Sequence, residues 1–85
     1  MKDFRKLNVW EKSHQLTLKI YKVTEKYPRE EIYGLISQIR PAGVSIPTNI
    51  AEGAVRSSDA DIARFLYIAL GSTSELEYLI LLSQD

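Results

Sequence analysis

The chain contains no cysteine among its 85 residues. That excludes a disulfide framework and any thiolate metal site. Histidine occurs once, too few for a histidine-rich metal site within one chain. The N-terminal Met1-Lys-Asp-Phe-Arg-Lys6 is too polar to open a secretory signal. No apolar run approaches the roughly 20 residues of a membrane span, so a cytoplasmic protein without a membrane role is the expectation. Net charge is zero overall, but its distribution is uneven. Residues 1–40 hold nine Lys/Arg against five Asp/Glu, a net of +4; residues 41–85 hold two against six, a net of −4. Such a dipolar chain tends to associate with itself or with a polyanion.

What is present is enough for one small domain spanning 1–85. Apolar residues make up 45% and charged residues 26%, the composition of a globular protein rather than a disordered one. Three segments have helical periodicity. The first runs from about Val9 to Lys26, with Asn8 and Glu11 at capping-box spacing and Pro28 beyond its end. One stripe holds Val9, Leu16, Ile20, Val23 and Tyr27; a second holds Trp10, His14, Thr17 and Tyr21. Two stripes suggest two packing surfaces, one within the subunit and one for a neighbour. Lys12, Lys19, Lys22 and Lys26 fall together on the opposite side.

The second segment, about Glu31 to Ala54, contains Pro41 and Pro47. Ile36, Ile39, Gly43, Ile46, Ile50 and Gly53 keep alternate three- and four-residue spacing across both prolines. A loop has no need to hold that register, which favours one helix, bent rather than broken. Pro41 deprives the Ser37 carbonyl of its donor, and Pro47 does the same to Gly43. Each interior proline costs about 3 kcal/mol against alanine, so packing on a broad apolar face must offset it. The rival reading is two shorter helices meeting near Pro41. The third segment runs from about Asp59 to Gln84, with Ser58 as cap and Asp61 at the capping-box position. Its expected stripe is Ile62, Leu66, Ala69, Thr73, Leu76 and Ile80, with Gly71 permitting close helix approach. Tyr78 to Leu82 is apolar nearly all round, which calls for burial on several sides.

Several stretches together resemble one family. They are Lys6-Leu-Asn-Val-Trp10, Tyr33-Gly-Leu-Ile-Ser-Gln-Ile-Arg40, Val44-Ser-Ile-Pro-Thr-Asn-Ile-Ala-Glu-Gly53, Arg64-Phe-Leu-Tyr-Ile-Ala-Leu-Gly-Ser72 and Glu75-Leu-Glu-Tyr78. The family is the bacterial four-helix-bundle group first recognised in intervening sequences of large-subunit ribosomal RNA. A related branch is the accessory protein of diversity-generating retroelements, a basic pentamer that works with a reverse transcriptase and nucleic acid. The resemblance implies an all-α, antiparallel up-and-down four-helix bundle and a homo-oligomer, often a pentamer. Three of its helices are expected here, the second bent at its prolines and the fourth absent; either the sequence stops short of that helix or a neighbour covers the Tyr78–Leu82 surface. Family members usually carry Arg-Arg-Ala-Ala where this chain has Arg40-Pro-Ala-Gly43, which removes one positive charge and adds a helix breaker.

Chemical readings are weak by comparison. Glu11-Lys-Ser-His14 has the E-x-x-H spacing of di-iron sites, but those need two such motifs and two more glutamates. His14 packing beside Trp10 and Tyr21 is preferred, and no metal or cofactor is expected. Ser37 or Ser45 with His14 and Glu52 lacks any nucleophile-elbow or oxyanion-loop context. The four glycines do not have phosphate-loop spacing. No catalytic residue is assigned.

Gln38, Arg40, Asn49, Glu52 and Arg56 either line a groove or form a buried polar network that fixes helix register; the network is preferred, with Glu52–Arg56 an ordinary intrahelical salt bridge. The lysine row, with Lys2, Arg5, Lys6 and Arg29 nearby, is the candidate for RNA or DNA backbone contact, against a plain solvated face. It lacks interleaved aromatics for base stacking. The second class of function is a protein-interaction scaffold that partners another polypeptide. Trp10, Tyr21, Leu79 and Leu82 are the candidate interface residues, whether for self-assembly or for that partner.

Overall fold

The computed structural model describes residues 3–84. Among them are three α-helices, two single-turn 3-10 segments and no strand. A 3-10 turn at Phe4–Lys6 leads into α1 (Asn8–Thr24). A second turn at Arg29–Glu31 precedes α2 (Leu35–Ala54), and α3 follows (Asp59–Gln84). The described chain is elongated, 43 × 20 × 18 Å.

α1 starts without the expected capping box. Asn8 is already helical, the cap position is Leu7, and no side chain caps it. The preceding turn does the positioning instead. Asp3 accepts from Arg5 N at 3.1 Å, and Leu7 O accepts from Glu11 N at 3.1 Å. Glu11, free of cap duty, accepts from Gln15 Nε2 one turn along at 3.0 Å. The buried face of α1 also differs from both expected stripes: it is Ser13, Thr17, Ile20 and Thr24. Val9 and Val23 are more than half exposed. The reason lies across the interface. α2 presents the side-chain-free Gly43 there, and its carbonyl accepts from Thr17 Oγ1, a bond that a short hydroxyl side chain makes and a branched apolar one cannot.

α2 is one helix through both prolines, which decides against two helices meeting near Pro41. Ile39, Gly43, Ile46, Ile50 and Gly53 are buried, as the register implies. The two orphan carbonyls have different fates. Ser37 and Pro41 are exposed, so water can serve the first. Gly43 is buried, and there Thr17 Oγ1 lies 3.0 Å from Gly43 O and 2.9 Å from Ser13 O, sharing its proton between them. The hydroxyl of α1 thus replaces the amide that Pro47 lacks. α2 begins at Leu35 rather than Glu31, because the chain turns at Gly34 (φ −107°, ψ −110°). Glu31 Oε2 then accepts from Leu35 N at 3.4 Å.

α3 has the expected bounds, and Ser58 Oγ accepts from Asp61 N at 3.1 Å. Its buried positions are Phe65, Ala69, Leu76 and Leu79, a rotation from the expected stripe. Leu66 and Ile80 sit at the edge, 46% and 37% exposed. The rotation follows from α3 packing on α2 alone: no Cα of α1 comes within 8 Å of α3. By length and composition α3 is long and apolar enough to cross a membrane, which the absence of an uninterrupted apolar run did not reveal. Ser72 to Glu75 and Glu77 interrupt it.

α2 is therefore the central helix. Contacts pair Thr17 with Gly43 and Thr24 with Arg40 on one side. On the other they pair Ser45 with Ser72 and Gly53 with Phe65. The core comprises Ile20, Ile39, Ala42, Ile46, Ile50, Ala69, Leu76 and Leu79. Val9, Leu16 and Val23 line cavities walled by α3 residues Leu66, Leu70 and Ile80 and floored by α2.

Candidate nucleic-acid interface

Lys12, Lys19, Lys22 and Lys26 are all exposed, and no carboxylate lies within 4.0 Å of any of them among the described residues. By helical spacing Lys22 and Lys26 lie across α1 from the Ser13–Thr24 face that packs on α2, whereas Lys12 and Lys19 flank the groove between α1 and α3, lining cavities there with Leu16. Lys6 is exposed before α1. Arg5 is different: its Nε meets Asp3 Oδ1 at 3.1 Å, and its guanidinium lies 5.8 Å from the Phe4 ring centroid. The Arg5 hydrogen bonds hold the Asp3 carboxyl below the ordinary aspartate range. Arg5 is thereby locally neutralised, which weakens it as a free phosphate contact. Lys2 lies outside the described residues.

The five polar residues do not form one network. Gln38 and Glu52 are exposed. Arg56 stands beyond the end of α2 at Ala54, its guanidinium 4.6 Å from the Phe65 centroid. The Glu52–Arg56 salt bridge does not form, because the helix ends before Arg56. Asn49 Nδ2 donates to Ser45 O (2.7 Å) and Ser45 Oγ (2.9 Å), and Ser72 Oγ meets Ser45 Oγ at 2.8 Å. That places a small polar seam between α2 and α3. Arg40 reaches the other way. Its Nε donates to Thr24 Oγ1 at 2.9 Å and Nη2 to Tyr21 O at 3.4 Å, with the guanidinium 4.7 Å from the Tyr21 ring centroid.

The four candidate interface residues divide. Leu79 is 4% exposed and belongs to the core; packing on α2 removes it from any uncovered surface. Leu82 is 45% exposed. Trp10 is half-buried, stacked on His14 with centroids 4.9 Å apart and rings 9° from parallel, while Phe4 meets it edge-on at 4.9 Å. Tyr21 is 40% exposed beneath Arg40. No group of three metal-ligating side chains occurs among the described residues. Ser45 bonds Asn49 and Ser72 rather than His14.

The 23S rRNA-intervening sequence protein family matches residues 5–85. The chain belongs to this family. No curated protein matches it closely enough to add a relative of described function. For this intervening sequence protein, sequence reasoning missed the hydroxyl contacts of Thr17 and Thr24 and the Ser45–Ser72 contact. Ser13, Thr17 and Thr24 recur at spacings of four and seven, a helical period that an apolar-only pattern passes over.

Proposed function

We propose that this intervening sequence protein is a non-enzymatic, oligomeric helical-bundle protein that binds the backbone of RNA or DNA through the basic face of α1. The observation that carries the reading is the exposed row Lys12, Lys19, Lys22 and Lys26 on one side of one helix, unpaired among the described residues. From the first to the last, the row spans roughly 21 Å at 1.5 Å per residue. One strand of a duplex carries a phosphate per about 3.4 Å of helix axis, so the row matches the axial rise of several nucleotides. The family description ties these proteins to 23S rRNA intervening sequences, a loose support for nucleic acid as partner.

The finer architecture belongs to the same reading: antiparallel helices, α2 bent at its prolines, and the three described helices acting as part of a four-helix bundle. Assembly into a ring, a pentamer by family resemblance, would repeat the basic face and multiply weak contacts. The expected location is the cytoplasm.

The test is a titration against labelled single- and double-stranded RNA and DNA at several salt concentrations. Four phosphate contacts per chain give a log–log slope of roughly −3 to −4 for duplex DNA. Lys19→Glu with Lys22→Glu is expected to abolish binding at moderate salt while leaving helicity intact. Unchanged binding by that double variant overturns the assignment. Absence of binding even at low salt favours the scaffold reading, for which exposed Tyr67, Leu70, Tyr78, Leu81 and Leu82 supply the apolar surface.

A further inference from the structure

At the C-terminal end of α1 lies an open cavity of about 420 Å³. Thr24, Tyr27, Arg29, Ile36 and Arg40 line it, with Glu25 as its one acid. Arg40 is half-buried. Neither Arg29 nor Arg40 has a carboxylate within 4.0 Å among the described residues. Arg40 is also held still. Its Nε and Nη2 are committed to Thr24 Oγ1 and Tyr21 O, and its plane is supported by the Tyr21 ring. A guanidinium fixed in this way loses little rotamer freedom on binding, and Nη1 has no hydrogen-bond partner among the described residues.

We infer that Arg40 and Arg29 form a phosphate-binding pocket, with Arg40 as the preorganised element and Arg29 closing from the turn. A planar guanidinium matches the oxygens of a phosphate group. Two arginines against Glu25 leave the pocket with a net charge of +1. The inference rests on the proposed function and deepens it by adding a defined phosphate site at the C-terminal end of the helix that carries the lysine row. The phosphate can belong to a nucleic-acid strand or be free in solution; the shared chemistry is the anion.

The experiment follows the Arg Nε–Hε signals of the 15N-labelled protein by NMR. Inorganic phosphate is titrated first, then a short single-stranded oligonucleotide, with chloride at matched ionic strength as control. Phosphate is expected to shift the Arg40 and Arg29 signals where chloride does not. Arg29→Gln, in an exposed turn, should weaken binding several-fold without unfolding the chain. Glu25→Gln should strengthen it several-fold, an effect that a purely structural Arg40 would not show. A strand that moves the same signals identifies the nucleic-acid source; phosphate shifts without strand binding leave the pocket standing as a free-phosphate site and remove the nucleic-acid reading. Strand binding that leaves both arginine signals unmoved overturns the pocket while the lysine face stands. Phosphate shifts no larger than those with chloride, or no gain from Glu25→Gln, also overturn it.

Discussion

A buried carbonyl in α2 depends on one hydroxyl from α1. Thr17→Val removes the donor to Gly43 O and leaves that acceptor without its partner in a buried place. The expected cost is about 1–2 kcal/mol, read from urea unfolding, and Thr17→Ser should recover most of it. The glycines divide in the same way by what surrounds them. A Cβ at Gly53 would sit 3.1 Å from Phe65 Cβ, an atom one bond from the α3 backbone that cannot swing aside. Overpacking costs about 1–3 kcal/mol, more than the roughly 1 kcal/mol that alanine gains in helix propensity, so Gly53→Ala should lower stability. At Gly71 nothing lies within 4 Å, so within the chain it does not serve close helix approach. Gly71→Ala should stabilise the monomer by roughly 1 kcal/mol; a fall in thermal midpoint would contradict that. Asp3 offers a pH test. Its carboxyl is held low by Arg5, so its small contribution is present above the unfolded pKa and is lost as pH falls through the folded one. An NMR titration should place its midpoint below that of an Arg5→Gln variant.

At the level of whole helices, patterns that summed over many residues were readable and single-face assignments were not. The register through Pro41 and Pro47 identified one continuous α2, because five buried positions had to agree. The bounds of α3 followed from Ser58 and the apolar density after it. The faces of α1 and α3 were harder, since each depends on which neighbour is present. α3 has apolar residues almost all round, so its own sequence does not choose between Leu76–Ile80 and Leu76–Leu79. Packing on α2 chooses the second. Leu79→Ala should therefore cost about 2–4 kcal/mol as a core truncation, whereas Leu82→Ala should stay near neutral in a dilute monomer; equal losses at both would show that the assigned face is wrong. The candidate site was readable as a lysine row. The arginine pocket was not: Arg29 and Arg40 are eleven positions apart in sequence, and only the turn at Gly34 brings them to one cavity.

For the molecule as a whole, the described helices leave Tyr67, Leu70, Tyr78, Leu81 and Leu82 of α3 uncovered. The basic and acidic halves of the chain add an attractive term between copies. Sedimentation at micromolar concentration is expected to give a homo-oligomer. Leu82→Glu should shift it toward monomer, and a wild-type monomer mass would refute the assembly. The Gly43 carbonyl has a consequence in time as well. α2 and α3 are joined by the four residues 55–58, a short closure that forms early at low entropic cost. The middle of α2 acquires its last donor only when α1 docks, so the central helix is completed last and from outside. Thr17→Val should then leave the refolding rate nearly untouched and speed unfolding, giving a φ-value near zero.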